Sequence, residues 1–157
     1  MTILYLNANI IYGECLNIIS NNKWKRNIKN NVINKLKSCE YKLTTSVLTK
    51  MEIMQRLIRE ESCTVKKARN AYFKVLNKYN IAQLSSLNKK NLLTNSFIDF
   101  VASSNLDFKD ALHLEIASKY GFIVVTHDKK FRKNFSKHQD KLKFYNSVVK
   151  PEDLFHN

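Results

Sequence analysis

Two short apolar runs, TILYL at 2–6 and FIVVT at 122–126, constrain this chain most. Both are rich in strand formers, and FIVVT is continuously apolar, as a strand covered on both faces should be. Helical spacing fills much of the interval between them. Ile10, Ile11, Cys15, Ile18 and Ile19 recur at helical intervals after the first run. Residues 23–38 are weakly amphipathic, with Trp24, Ile28, Val32, Ile33 and Leu36 on one side. YKLTT at 41–45 reads as a second strand. Ser46 is then placed to cap a helix to about Glu61, with Val47, Leu48, Met51, Met54, Leu57 and Ile58 inward. Thr64 is placed to cap another, through Ala68, Ala71, Tyr72, Val75, Leu76 and Tyr79. A short strand is expected at 81–84, helices at 89–103 and 109–120, and Gly121 as the stop of the latter. HDKKF turns FIVVT into a helix, LKFY at 142–145 reads as a last strand, and Pro151 opens a terminal helical turn. Strands alternating with helices predict an α/β domain with a mainly parallel sheet.

With 157 residues, one domain over 1–157 is expected, and no linker interrupts it. Only 2 Gly and 1 Pro exclude turn-rich β architectures. No apolar run approaches the ~18 residues of a membrane span. The start, MTILYLNANIIYGE, lacks a basic segment and a cleavage site, so a cytoplasmic protein is expected. Cys15, Cys39 and Cys63 are then expected as free thiols. His113, His127, His138 and His156 show no zinc-type spacing, and no phosphate-cradling glycine loop is present.

The net charge is +14. Such a surface attracts polyanions, nucleic acid foremost, although a Lys-rich solvated face without a partner has the same composition. The charge is uneven: 129–150 holds eight basic residues against Asp140, and 24–37 holds five and no acid. Phe131, Phe135, Phe144 and Tyr145 interleave with the first of these stretches. Stacking on bases would use them, but packing against the core is the commoner fate of such residues.

In open α/β sheets the site lies beyond the carboxyl ends of the strands. Asn7 and Asn9 follow the first strand, and Thr126 and Asp128 follow FIVVT. Asp110 sits in a first helical turn and Glu52 one to two turns into the helix after the second strand. Hard oxygen donors of this kind suit Mg²⁺ or Mn²⁺ and metal-assisted phosphodiester cleavage. Singly, each residue has a plainer reading. Glu52 can pair with Arg56 at i,i+4, Asp110 can be a helix-start residue, and Asp128 a turn residue and cap. His113 reads as a packed or surface histidine. His127 should point away from the site if the strand pattern continues.

Four segments in order resemble the motifs of PIN domains, especially the ribonuclease toxins of VapBC-type toxin–antitoxin pairs. The first is ILYL, then Asn7, Ala8 and Asn9, then IIYGE. The second runs from Thr45 and Ser46 through Thr49 to Glu52. The third is Asp107, Phe108, Lys109, Asp110 and ALHL; the fourth is IVV, Thr126, His127, Asp128, Lys129, Lys130 and Phe131. The resemblance implies an α/β/α sandwich and a Mg²⁺- or Mn²⁺-dependent endoribonuclease. It assigns Asn7, Glu52, Asp110 and Asp128 to the catalytic metal site. Asp107 becomes an accessory acid, and Asn9, Ser46 and Thr126 a supporting shell. Lys129, Lys130 and Arg132, beside the site, become contacts for RNA phosphates. The family also implies a small antitoxin partner and a homodimer. Leu57, Ile58, Tyr72 and Phe73 are candidates for core, dimer face or partner groove.

The motif expects Asp where Asn7 stands. An amide keeps one carbonyl ligand but loses the charge, so metal affinity and activity should fall. Because the other acids are intact, an engineered Asp→Asn change is favoured over natural decay. Two alternatives stay open: an inactive PIN-like RNA-binding module, and a PIN nuclease of RNA processing.

Overall fold

A computed structural model of the chain describes residues 1–20, 32–84, 94–140 and 147–155. Strand β1 (Ile3–Leu6) leads into α1 (Ala8–Ile19), followed by α2 (Val32–Ser38) and β2 (Lys42–Ser46). Then come α3 (Val47–Glu60), α4 (Val65–Tyr79) and β3 (Ala82–Leu84). Helices α5 (Asn95–Ser103) and α6 (Phe108–Lys119) precede β4 (Ile123–Val125). Helix α7 (Lys129–Lys137), β5 (Val148–Val149) and a 3-10 turn (Pro151–Leu154) complete the described order.

The five strands form one parallel sheet in the order β3-β2-β1-β4-β5. The period of two along each strand sorts side chains between two cores. Leu4, Leu6, Leu43 and Val125 face α1–α4, whereas Tyr5 and Val124 face α5–α7. The result is the α/β/α sandwich expected from the sequence. β1 lies at the centre because both of its faces are apolar: Leu4, Tyr5 and Leu6 are fully buried. From it the chain builds β2 and β3 toward one edge and returns for β4 and β5 on the other. That reversal falls between β1 and β4, and in open α/β sheets ligands bind beyond the carboxyl ends of the strands at such a point.

The helix signals are realised in detail. Thr64 accepts from Lys67 N at 3.2 Å at the start of α4, and Gly121 takes φ 69° just past α6. Phe131 and Phe135 are core residues, as are Leu57 and Tyr72. All three cysteines are unpaired thiols.

Some expectations change. Met51 does not turn inward; it is 62% exposed. It precedes the buried Ile53 by two residues, about 200° around the helix, so the two cannot share a face. Ser46 holds the N-cap position of α3 but makes no side-chain cap bond, because its hydroxyl is engaged with Tyr5 at 2.6 Å. The strand expected at 142–145 lies outside the described residues; the last described strand is Val148–Val149. Much of the expected helix at 23–38 and the beginning of that at 89–103 also lie outside them, as do Trp24, Ile28, Phe144 and Tyr145. Among the described residues no helix is long and apolar enough to cross a membrane.

Candidate active site at the carboxyl edge of the sheet

The loops after β1 and β4 are tied to each other. Asn7 N donates to Val125 O at 3.1 Å. Asn9 bridges the loops through both ends of its amide: Nδ2 donates to Thr126 Oγ1 at 2.9 Å, and Oδ1 accepts from His127 N at 3.1 Å. Thr126 Oγ1 also accepts from Asp128 N at 3.1 Å. Asn9 and Thr126 thus tie the two loops together. Arg132 joins them, donating from a guanidinium nitrogen to Thr126 O at 2.7 Å. That bond gives Arg132 a bracing role in addition to any contact with phosphate. Lys129 and Lys130 are exposed in the first turn of α7.

Asn7, Asp107 and Asp128 are all helix N-caps. Asn7 Oδ1 accepts from Asn9 N at 3.4 Å, Asp107 Oδ1 from Lys109 N at 2.9 Å, and Asp128 Oδ1 from Phe131 N at 2.9 Å. The cap reading and the site reading of these residues coincide. In a parallel sheet, helices start at the carboxyl edge, so capping residues and site residues occupy the same ground.

Asp110 reports what surrounds it. Burial pushes its carboxyl up to about 7, and the charges of Asp128, Asp107 and Glu52 add to the effect against the opposing pull of Lys130. Carboxylates from α3, α6 and the β4–α7 junction therefore all disfavour a charge at one place. Oxygen donors with excess negative charge suit a hard divalent cation. Among the described residues, no three His, Cys, Asp or Glu side chains are grouped closely enough to hold a metal ion by themselves. The donor chemistry is the hard-oxygen kind that Mg²⁺ or Mn²⁺ takes while keeping several waters.

Glu52 differs from the plain reading. Arg56 pairs with Glu60, Nε to Oε1 at 3.2 Å. Glu52 Oε1 instead meets His113 Nε2 at 2.7 Å. His113 Nδ1 lies 2.7 Å from the Tyr5 hydroxyl. His113 and Tyr5 are the functional candidates that the sequence reading passed over. The available signal was the i,i+3 spacing of Asp110 and His113, which puts them on one face of α6. Burial raises the Tyr5 phenol far above its ordinary range, which keeps it neutral. His127 lines a cleft with Asn9, Ile10, Gly13, Glu14 and Ile33, and none of Glu52, Asp107, Asp110 and Asp128 is among the lining residues.

Fold and edge together define a PIN-like α/β/α domain. No protein-family model matches the sequence, and no curated protein matches it significantly. Among solved structures it is similar to VapBC-1 from nontypeable Haemophilus influenzae, at 12% identity, with a TM-score of 0.60. The match covers 96% of this chain and 99% of that one. At that identity the likeness establishes the fold.

Proposed function

We propose that this chain is a PIN-domain endoribonuclease of the VapBC toxin type, with Asn7 in place of its first acid. The observation that carries the reading is the electrostatic convergence of Glu52, Asp107 and Asp128 on Asp110, at the edge where Asn7 also lies. Glu52, Asp110, Asp128 and the Asn7 carbonyl would hold Mg²⁺ or Mn²⁺, one or two of them directly and the others through its retained waters, with Asp107 as an accessory acid. When bound, the cation supplies an activated water and offsets charge on the phosphoryl oxygens. The protein's own groups do the rest. Asp110 holds a proton near neutrality in the metal-free protein and gives it up as positive charge enters. Lys129 and Lys130 draw the RNA backbone to the edge without reading bases. Asn9 and Thr126 keep the loops in register.

The likeness to a VapBC structure supports a small antitoxin as partner, and the family resemblance supports a homodimer. Asn7 itself favours a second reading, a PIN-like module that binds RNA without cutting it.

RNA cleavage by the chain and by Asn7→Asp, each with Mg²⁺, Mn²⁺ or chelator, separates the two. The proposal expects cleavage by the Asp form alone or far above the Asn form, abolished by chelator. No cleavage of a broad RNA panel by either form, with salt-sensitive RNA binding retained, would overturn the nuclease reading.

A further inference from the structure

We infer that His113 is a positioning residue that fixes the Glu52 carboxylate, and that Tyr5 and Ser46 fix His113 in turn. The inference rests on the metal-site reading above and names residues outside it. Four side chains from β1, the β2–α3 junction, α3 and α6 form one line. Ser46 Oγ is 2.6 Å from Tyr5 Oη, Tyr5 Oη 2.7 Å from His113 Nδ1, and His113 Nε2 2.7 Å from Glu52 Oε1. Ser46, Tyr5 and His113 are at most 1% exposed, whereas the Glu52 side chain is 18% exposed. The line therefore begins in the core and ends at a partly exposed carboxylate.

The chemistry of the partners orders the protons along it. A carboxylate only accepts, so His113 Nε2 carries the hydrogen that Glu52 receives. A neutral imidazole then has Nδ1 as its acceptor, and the Tyr5 hydroxyl donates to it. The Tyr5 oxygen is left to accept from the Ser46 hydroxyl. Each hydrogen is used once. With Oε1 committed to His113, Glu52 meets a cation chiefly through its other oxygen. A buried histidine serving only the core would have no need to end on a site acid. The same order explains why Ser46, at the N-cap of α3, leaves the helix uncapped by its side chain.

Ring ¹⁵N spectra of the full chain without metal test the order directly. The expected His113 signature is a protonated Nε2 and an unprotonated Nδ1; the opposite tautomer would overturn the inference. Mn²⁺ affinity, measured by electron paramagnetic resonance, tests the consequence. Glu52→Gln should lose binding. His113→Ala and Tyr5→Phe should each weaken it about 10- to 100-fold, and His113→Gln, which keeps an N–H for Glu52, should recover part of the loss. Tyr5→Phe preserves ring volume, so it remains informative if His113→Ala does not fold. If Glu52→Gln loses Mn²⁺ while His113→Ala and Tyr5→Phe bind like the parent, positioning is overturned and the metal site survives. If neither the parent nor its Asn7→Asp form binds Mn²⁺, the metal-site reading fails and takes the inference with it.

Discussion

Burial and three neighbouring carboxylates act on Asp110 in one direction. The carboxyl titrates near its ordinary 3.8 when the chain is unfolded and at about 7 in the fold. Between those values the native state keeps a proton that the unfolded chain has lost, so stability falls as pH rises through the window. Asp110→Asn should therefore raise the melting temperature near neutral pH in chelator, with the gain fading toward about pH 4. Scanning calorimetry at several pH values checks this, and an equal gain at every pH would refute it. Asn7→Asp should do the reverse. A further carboxylate in the same basin should lower the chelator-treated melting temperature by a few degrees, for a change of about 1 kcal/mol. Added Mn²⁺ should then stabilise that variant more than the parent, as thermal shift would report. At this scale the sequence was partly legible. Strand ends drew attention to Asn7 and Asp128 and a first helical turn to Asp110, but nothing in local spacing joins Glu52 to His113, which lies 61 residues away.

Asp107 and Asp128 each cap a helix and also act on Asp110 through their charge. Asp128 caps α7 through Oδ1 and adds its charge to the field at Asp110. The two uses separate by substitution. Asp128→Asn keeps a cap oxygen, so stability should hold within a few tenths of a kcal/mol while Mn²⁺ affinity drops. Asp128→Ala should lose both, with about 1 kcal/mol of stability from the missing cap. Denaturant unfolding alongside Mn²⁺ titration distinguishes them; equal stability of the two variants would mean that the cap contributes nothing. Caps and stops were legible element by element, as Thr64 and Gly121 show, because they depend on neighbours a few residues away. Ser46 was misread for the opposite reason. Its hydroxyl goes to Tyr5, a partner fixed by the pairing of β1 with β2, and no helix-start pattern reveals that. Met51 was misread because the inward set drawn for α3 was wider than the face that Ile53 and Leu57 bury.

The whole molecule sets an acidic edge within a chain of net charge +14. On the proposed function, a positive surface would gather RNA by releasing its counterions, and the acid cluster by itself would repel the phosphates so gathered. The proposed cation at the edge would resolve that conflict locally, leaving the basic surround to hold the strand. Asn7 makes the binding step measurable apart from cleavage. Affinity for single-stranded RNA should fall steeply with salt, each phosphate neutralised contributing about 0.7 to the slope of log K against log salt. Lys129→Ala and Lys130→Ala should each reduce the slope by about that amount, since both are exposed at the start of α7 beside Asp128. Lys37→Ala is the control: it is equally exposed, but it lies at the end of α2, just ahead of β2 and thus at the opposite edge of the sheet. Its slope should match the parent's. Fluorescence anisotropy over a salt series decides the matter. Equal losses at all three lysines would mean that RNA meets a diffuse basic surface, whereas losses confined to Lys129 and Lys130 place the strand across the edge where the carboxylates converge.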